Sequence, residues 1–394
     1  MKKLQFDVVV AGHVCMDITP EFVTADSGKI ASVFVPGKLV NIGAAELSTG
    51  GSVSNTGLAL TRLGVKTGLM GKIGNDLFGD GIRSIFKNHG ATDALTVVEG
   101  ERTSYSFIFA LPGVDRIIMH NPGANDTFGA NDINYEIVSH SKLFHFGYPP
   151  LMRKMFKNGG RELIRVFKIV KTGKVLTSLD MSLPDPNSES GKVDWLTVFR
   201  KLLPFVDIAP FSAEETMFVL NRARYDELSE EAGSNEPLAF YKMSDFTYLA
   251  DTLLEMGVGI VLLKCGYRGL LLKTAGSKRF QDIKLLPESW HSKTIWKNVY
   301  AVKKIVSATG AGDSAIAGFL AGLLKGLSPE QSVSAAACTG AQNLSTLDAL
   351  SGIKNWDETV LLMRTMQIVK ESPDPSWQYC TKDKVWFLPV GVRH

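Results

Sequence analysis

No apolar run in this sequence reaches the roughly 18–20 residues that a membrane-spanning helix requires, which argues against an integral membrane protein. Cysteine is scarce. Cys15, Cys265, Cys338 and Cys380 lie far apart without a Cys-x-x-Cys pair, so a disulfide framework is excluded and reduced thiols in a cytoplasmic protein are expected. A surplus of one charge is missing too. The formal balance of +3 argues against a dedicated nucleic-acid or membrane-surface partner. No internal repeat or low-complexity segment is evident. The opening MKKLQFDVVVAGHVCM has the basic start and apolar run of a signal peptide, but Asp7 and His13 interrupt it, and a first strand fits better.

What is present is ordinary for a soluble globular protein: 45% hydrophobic and 21% charged residues, in a chain long enough to bury a large core. One stretch organises the rest, VKKIVSATGAGDSAIAGFLAGLLK, Val302 to Lys325. A strand is expected over Lys304–Val306, then a small-residue turn, then a close-packed helix from Ser314 to Leu324. Gly310 and Gly312 permit the backbone angles of an anion-binding turn, and the helix N-terminus adds partial positive charge. Asp313 stands at its end. A carboxylate there repels phosphate unless it acts as a base on the attacking group. Two other readings stay open: Asp313 as a helix N-cap, and Gly310–Ala315 as a dinucleotide fingerprint of the G-x-G-x-x-G/A type. The latter is the weaker, because Glu330 falls at a helix start instead of a strand end.

In chain order, Phe6–Ala11 reads as a buried strand, with Asp17 beyond its carboxyl end, either a ligand contact or a turn residue. Ala31–Leu39 reads as strand material. Gly50-Gly51 makes a tight turn before a helix ending at Leu63, where Asn55 either caps the helix or binds a polyol through its amide. Thr103–Leu111 and Asp115–His120 suggest a hairpin joined by Pro112-Gly113, the sort of small projecting sheet that serves as a lid. Strand–helix alternation resumes with Leu143–Pro149, a helix over Leu151–Val170, and Lys174–Met181, which brings Asp180 to a strand end. It continues with a helix over Ala213–Leu220, where Glu214 and Glu215 suit the helix dipole. Arg222–Asp245 reads as a surface insertion. Met256–Lys264 and Gly269–Lys273 read as strands around Cys265–Arg268, and Trp290–Tyr300 as a loop covering the core. Helices are expected over Pro329–Ser345 and Trp356–Val369, with an irregular tail from Glu371.

Two motifs, in order and about 250 residues apart by the numbering, carry a family resemblance. The first is Gly50-Gly51-Ser52-Val53-Ser54-Asn55, followed by Gly71-Lys72-Ile73-Gly74-Asn75-Asp76-Leu77-Phe78-Gly79. The second is Thr309-Gly310-Ala311-Gly312-Asp313. With the strand–helix rhythm between them, the chain resembles the ribokinase-like sugar kinases, the phosphofructokinase B family, from Phe6 to about Ser345.

The resemblance implies an α/β fold with a central, mostly parallel sheet between helices and a small β lid. The whole of 1–394 is then one kinase domain, with lid segments about 14–45 and 100–125 and a C-terminal extension about 371–394. It implies ATP and Mg²⁺, and transfer of the γ-phosphoryl group to an alcohol. Asp313 matches the catalytic base, and Gly310, Ala311 and Gly312 match the anion hole. Asp17, Gly50, Gly51 and Asn55 match sugar-hydroxyl contacts. Lys264, Gly266, Gly269, Thr309 and Asn343 fall on the nucleotide side, and Glu215 matches a glutamate that organises Mg²⁺ through water. A homodimer through the lid is the expected assembly.

Some positions depart from the pattern. Ser307-Ala308 replace the usual Asp-Thr, which puts monovalent-cation activation in doubt. Ser212 replaces the Asn of Asn-x-x-Glu, and Lys264 replaces a usual Thr. A small sugar or polyol is the expected substrate. A nucleoside is an alternative, and so is a phosphosugar met by Arg102 or Arg116. A non-catalytic sugar-binding protein on the same scaffold is the remaining reading, motivated by Ser307 and Ser212.

Overall fold

Val8, Val9, Val10 and Ala11 have no exposed surface. A run of this kind can be buried completely only in a strand covered on both faces. The computed structural model, which describes residues 5–22, 35–110, 117–233, 235–281, 283 and 286–389, places it at the centre of such a sheet.

The first half of the chain supplies β1 (Phe6–Gly12), β2 (Cys15–Pro20), β3 (Ala45–Gly50), β4 (Thr67–Met70), β5 (Lys72–Gly74), β6 (Thr92–Asp93), β7 (Thr96–Val98), β8 (Tyr105–Phe109), β9 (Ile117–Asn121), β10 (Ser141–Gly147) and β11 (Leu176–Leu179). Helices α1 (Ser52–Arg62), α2 (Leu77–Asn88), α3 (Tyr135–Ser139) and α4 (Arg153–Lys171) alternate with them. The second half adds β12 (Ile208–Ala209), β13 (Ile260–Lys264), β14 (Leu270–Thr274), β15 (Thr294–Lys297), β16 (Gln378–Cys380) and β17 (Val385–Phe387). Its helices are α5 (Trp195–Leu202), α6 (Ala213–Leu220), α7 (Arg222–Ala232), α8 (Met243–Glu255), α9 (Ser277–Phe280), α10 (Ala311–Leu324), α11 (Pro329–Asn343) and α12 (Trp356–Thr365).

The main sheet runs β16-β17-β15-β14-β13-β12-β11-β10-β1-β4-β6. From β6 to β13 every pair is parallel; from β13 to β16 every pair is antiparallel. The period-2 alternation of β1 sorts its side chains between two cores. Val9 and Ala11 join Phe144, Phe146 and Phe167 on one face. Val8 and Val10 join the apolar sides of α1, α10 and α11 on the other. Helices α10 and α11 approach closely because small residues face each other: a Cβ on Gly318 would stand 2.5 Å from the Ala335 carbonyl oxygen. A second sheet, β3-β2-β8-β9, is built from the segments flanking Gly50 and His120, and β5 pairs with β7 in a third.

Several sequence expectations change. The Lys304–Val306 stretch is irregular and Ile305 is exposed, because the sheet position before α10 is filled by β15 and the chain then crosses the surface. Trp290–Tyr300 is therefore not a covering loop: β15 pairs with β14, and Trp290 and Trp296 are buried. Nor is the tail irregular, since β16 and β17 extend the main sheet beyond β15. Within Arg222–Asp245, α7 buries Leu228 and Ala232, so the segment is partly core. Helix α4 is interrupted at Lys157–Gly160, where Asn158, Gly159 and Gly160 take positive φ. Residues 35–39 are irregular, and Ala31–Phe34, the Pro112-Gly113 turn and Arg116 lie outside the described residues.

One buried group makes the fold pH-sensitive. His145, on β10, is fully buried, and its Nδ1 meets the Ser178 hydroxyl of β11 at 2.9 Å. Burial, and secondarily the Lys264 charge, pull its pKa from 6.5 to about 3. The unfolded chain therefore takes up a proton that the folded chain refuses, so stability falls as pH drops below about 6.5 toward about 3. The expected slope from this group is about 1.4 kcal/mol per pH unit. Urea unfolding of the parent chain and His145→Gln between about pH 6 and pH 4 should show the variant's stability declining less steeply by that amount; parallel declines would contradict the assignment.

Candidate active site

Helix α10 begins without a side-chain cap. Gly310, at φ 72°, occupies the N-cap position and Ala311 the first helical one, so Asp313 sits inside the first turn and is not the cap. A Cβ on Gly310 would collide with Ala349, which makes glycine obligatory there on both conformational and steric grounds. Ala311 N–H donates to the Ala308 carbonyl at 3.2 Å, closing the turn before the helix. Thr309 is held from two sides: its N–H donates to Ser307 Oγ at 3.1 Å, and Asn343 Nδ2 donates to its carbonyl at 2.5 Å.

Asp313 is only 7% exposed. A carboxylate so placed needs hydrogen-bond donors. Asn55 Nδ2 donates to Oδ2 at 3.0 Å, and the Thr56 hydroxyl donates to Oδ1 at 3.1 Å. The Tyr148 hydroxyl, just past the end of β10, also donates to Oδ1. Burial, and then the charges of Asp313 and Asp180, hold the Tyr148 phenol well above its ordinary pKa, so it remains a donor. Asn55 does not cap α1; Gly51 does, and Asn55 lies one turn in, where its amide is free to reach across to α10. A cleft of about 180 Å³ opens beside it, lined in part by Thr49, Ser54, Leu58 and Ala349.

Beside this carboxylate lies a buried ion pair. Lys264 Nζ, at the end of β13, is 3.1 Å from Asp180 Oδ1, beyond the end of β11. A side chain on Gly312 would begin 3.6 Å from the same ammonium, which places its charge against the α10 turn. Burial alone would lower the Lys264 pKa, but Asp180, then Glu215 and Asp313, hold it above its ordinary value. Burial raises the Asp180 pKa, and the neighbouring Lys264 ammonium opposes that rise by favouring the carboxylate. Ser212 makes a capping box on α6: its hydroxyl accepts the Glu215 N–H at 3.1 Å, and Glu215 Oε2 accepts the Ser212 N–H at 2.8 Å. The serine thus holds Glu215 near Lys264 and Asp180.

Gly50 stands opposite Cys15 and Asp17 opposite Ser48 across β2 and β3, and a Cβ on Gly50 would strike the Asp17 carboxylate. Gly51, at φ 86°, lies against His13. Gly266 and Gly269 occupy the turn after Lys264 and pack on Leu238 and the Lys297 carbonyl. The sequence reading did not single out Thr56 or Tyr148, and it noted Asp180 only as a strand-end carboxylate. Its one available signal for Tyr148 was position: Leu143–Pro149 ends a strand at the same sheet edge as Asp17 and Asp180.

The sequence profile of the pfkB family carbohydrate kinases matches residues 5–356. A sugar kinase of Archaeoglobus fulgidus, itself uncharacterized, is 28% identical over 275 residues, spanning 70% of this chain and 89% of its own. A probable fructokinase-3 of Arabidopsis thaliana is 24% identical over 290 residues, spanning 72% of this chain and 70% of its own. Among solved structures, Arabidopsis thaliana ribokinase complexed with ribose and ATP superposes with a TM-score of 0.68 at 18% identity, over 91% of this chain and 99% of that one. The fold is that of ribokinase.

Removing one partner of a buried ion pair strands the other. Lys264→Met should cost about 3–5 kcal/mol in chemical denaturation, with most of it recovered in the Asp180→Asn/Lys264→Met double variant. Equal losses in the single and double variants would show that the two groups do not depend on each other.

Proposed function

The chain belongs to the pfkB family of carbohydrate kinases and is a sugar kinase, and we propose that it moves the γ-phosphoryl group of Mg-ATP to a hydroxyl of a small sugar or sugar-like polyol. The observation that carries this reading is the contact across 258 residues in which Asn55 of the first motif grips Asp313 of the second. It joins a polyol-type amide, a buried carboxylate and an uncapped helix N-terminus in one place.

Asp313 acts as the general base on the acceptor hydroxyl. Asn55 and Thr56 aim its carboxylate, and the acceptor hydroxyl takes the place that the Tyr148 hydroxyl holds on Oδ1. Gly310, Ala311 and Gly312 form the anion turn, with the uncapped helix N-terminus facing developing negative charge. The Lys264 ammonium, close to Gly312, adds a full positive charge to that turn. Asp17, Gly50 and Gly51 hold the other hydroxyls of the acceptor, and Gly266, Gly269, Thr309 and Asn343 shape the nucleotide side. Mg²⁺ when bound neutralises phosphate oxygens; its preference for hard oxygen ligands fits Glu215, reached through water. At Ser307 a hydroxyl pairs with Thr309 at 2.9 Å where the family carries a carboxylate, so no monovalent-cation requirement is expected. Closure of the second sheet over the acceptor excludes water and suppresses ATP hydrolysis.

The same sheet is the proposed dimer contact. Leu47, Ile18, Phe107 and Met119 lie in one cross-strand row, and Leu47, Phe107 and Met119 are 59%, 38% and 54% exposed. Sedimentation equilibrium should give twice the chain mass for the parent and a single chain mass for Phe107→Asp.

The decisive assay is ADP release from Mg-ATP across pentoses, hexoses, polyols, phosphosugars and nucleosides. One compound should stimulate release, and Asp313→Asn should lower kcat by about 10²-fold or more while that compound still binds. If a sugar raises the melting temperature yet nothing stimulates release, the chain is a sugar-binding protein on a kinase scaffold.

A further inference from the structure

His13, Cys15 and His120 meet at the edge of the second sheet. Their donor atoms all lie within 4.8 Å of one another, and among the described residues no other trio of His, Cys, Asp or Glu does so. We propose that these three residues form a binding site for a soft to borderline divalent ion, zinc above all, distinct from the Mg²⁺ of the phosphotransfer site.

The geometry carries the assignment. His13 Nε2 and His120 Nε2 are 3.3 Å apart. Two nitrogens each about 2.0–2.1 Å from a tetrahedral zinc are about 3.3–3.4 Å apart, so the imidazoles already stand at the spacing of two ligands. Cys15 brings its Sγ into the same cluster, where a thiolate would bind zinc at about 2.3 Å. Two imidazoles and a sulfur are the donors of zinc and its neighbours in the transition series, and not those of magnesium or calcium.

The surroundings orient these donors. Ser106 Oγ meets His120 Nδ1 at 3.1 Å, leaving Nε2 directed at His13. The same hydroxyl lies 3.8 Å from Cys15 Sγ, and Asp17 Oδ1 lies 3.2 Å from that sulfur. Outer partners of this kind fix ring orientation at metal sites. His13 and Cys15 are buried, and His13 Nδ1 has no partner; His120 is exposed, so water can complete the coordination. On binding, the Cys15 thiol proton leaves to solvent, and the two imidazoles stay neutral with their ring protons on Nδ1. The ion then ties the loop after β1, in the main sheet, to β9, in the second sheet, 107 residues away.

The test uses the full chain, reduced and stripped with a chelator, without nucleotide. Zn²⁺ should bind at one equivalent per chain and raise the melting temperature. Co²⁺ should give visible bands of tetrahedral intensity with a near-ultraviolet thiolate charge-transfer band. Cys15→Ser should lose the charge-transfer band, and His120→Ala should weaken affinity by about tenfold or more. His120 is exposed, so its variant remains informative if Cys15→Ser fails to fold. No saturable binding overturns the proposal and leaves a histidine–histidine hydrogen bond. Binding that survives both substitutions, or a cobalt spectrum without thiolate charge transfer, overturns it as well.

Discussion

Burying a carboxylate is tolerable only if donors replace the water it loses. At Asp313 they come from Asn55 and Thr56 on α1 and from Tyr148 after β10. One charged group thereby sets the relation of two helices and a central strand. Hydrogen bonds to charged groups contribute about 1.5–3 kcal/mol each, and an orphaned buried charge costs more. A slide of α1 along α10 would break all of this at once. The small residues that let α10 and α11 pack tightly, Gly318 against Ala335 among them, hold that helix in place.

The parallel sheet explains why the chemistry gathers where it does. β1 ends at Gly12 before His13, β10 at Gly147 before Tyr148, β11 at Leu179 before Asp180, and β13 at Lys264 itself. All four endings lie at the carboxyl edge, where helices of an α/β sheet begin and ligands bind. The opposite edge shows what the same residue types do as structure. Asp207 is fully buried there, salt-bridged to Lys171 at 2.5 Å and to Arg279 at 2.9 Å. Among the described residues Asp180 has one cation, Lys264, and that cation also faces Gly312. A carboxylate matched by two cations is a brace. A single cation shared among Asp180, Glu215 and Asp313 leaves acidic groups in excess, a surplus that only a further cation would offset.

Departures from the family pattern have local compensations. Ser212 stands where an asparagine is usual, yet it caps α6 and fixes Glu215 reciprocally. Ser307 stands where an aspartate is usual, and it pairs with Thr309 at the mouth of the anion turn. In both places a serine hydroxyl supports the local backbone, so the fold is kept, and only at Ser307 does the replacement remove a formal charge.

Much of this was legible in the sequence because it is local. The valine run predicts a buried strand, Gly310 predicts a turn of unusual backbone, whereas Gly312 lies inside the helix, and the strand–helix rhythm predicts a parallel sheet. The strands of the tail and of Thr294–Lys297 were not legible, because an edge strand is defined by the partner it finds and carries little period of its own. The donors on Asp313 were only partly legible: Asn55 lies in a motif, whereas Thr56 and Tyr148 acquire meaning when α1 and β10 are folded against α10. The sequence by itself determined the central strands and helices, the two motifs and the kinase chemistry they imply, since each depends on residues within a turn or two of one another. The tertiary structure alone decided which donors hold Asp313, that Lys264 pairs with Asp180, and that His13, Cys15 and His120 meet, because contacts between residues a hundred or more positions apart exist only after the sheet has assembled.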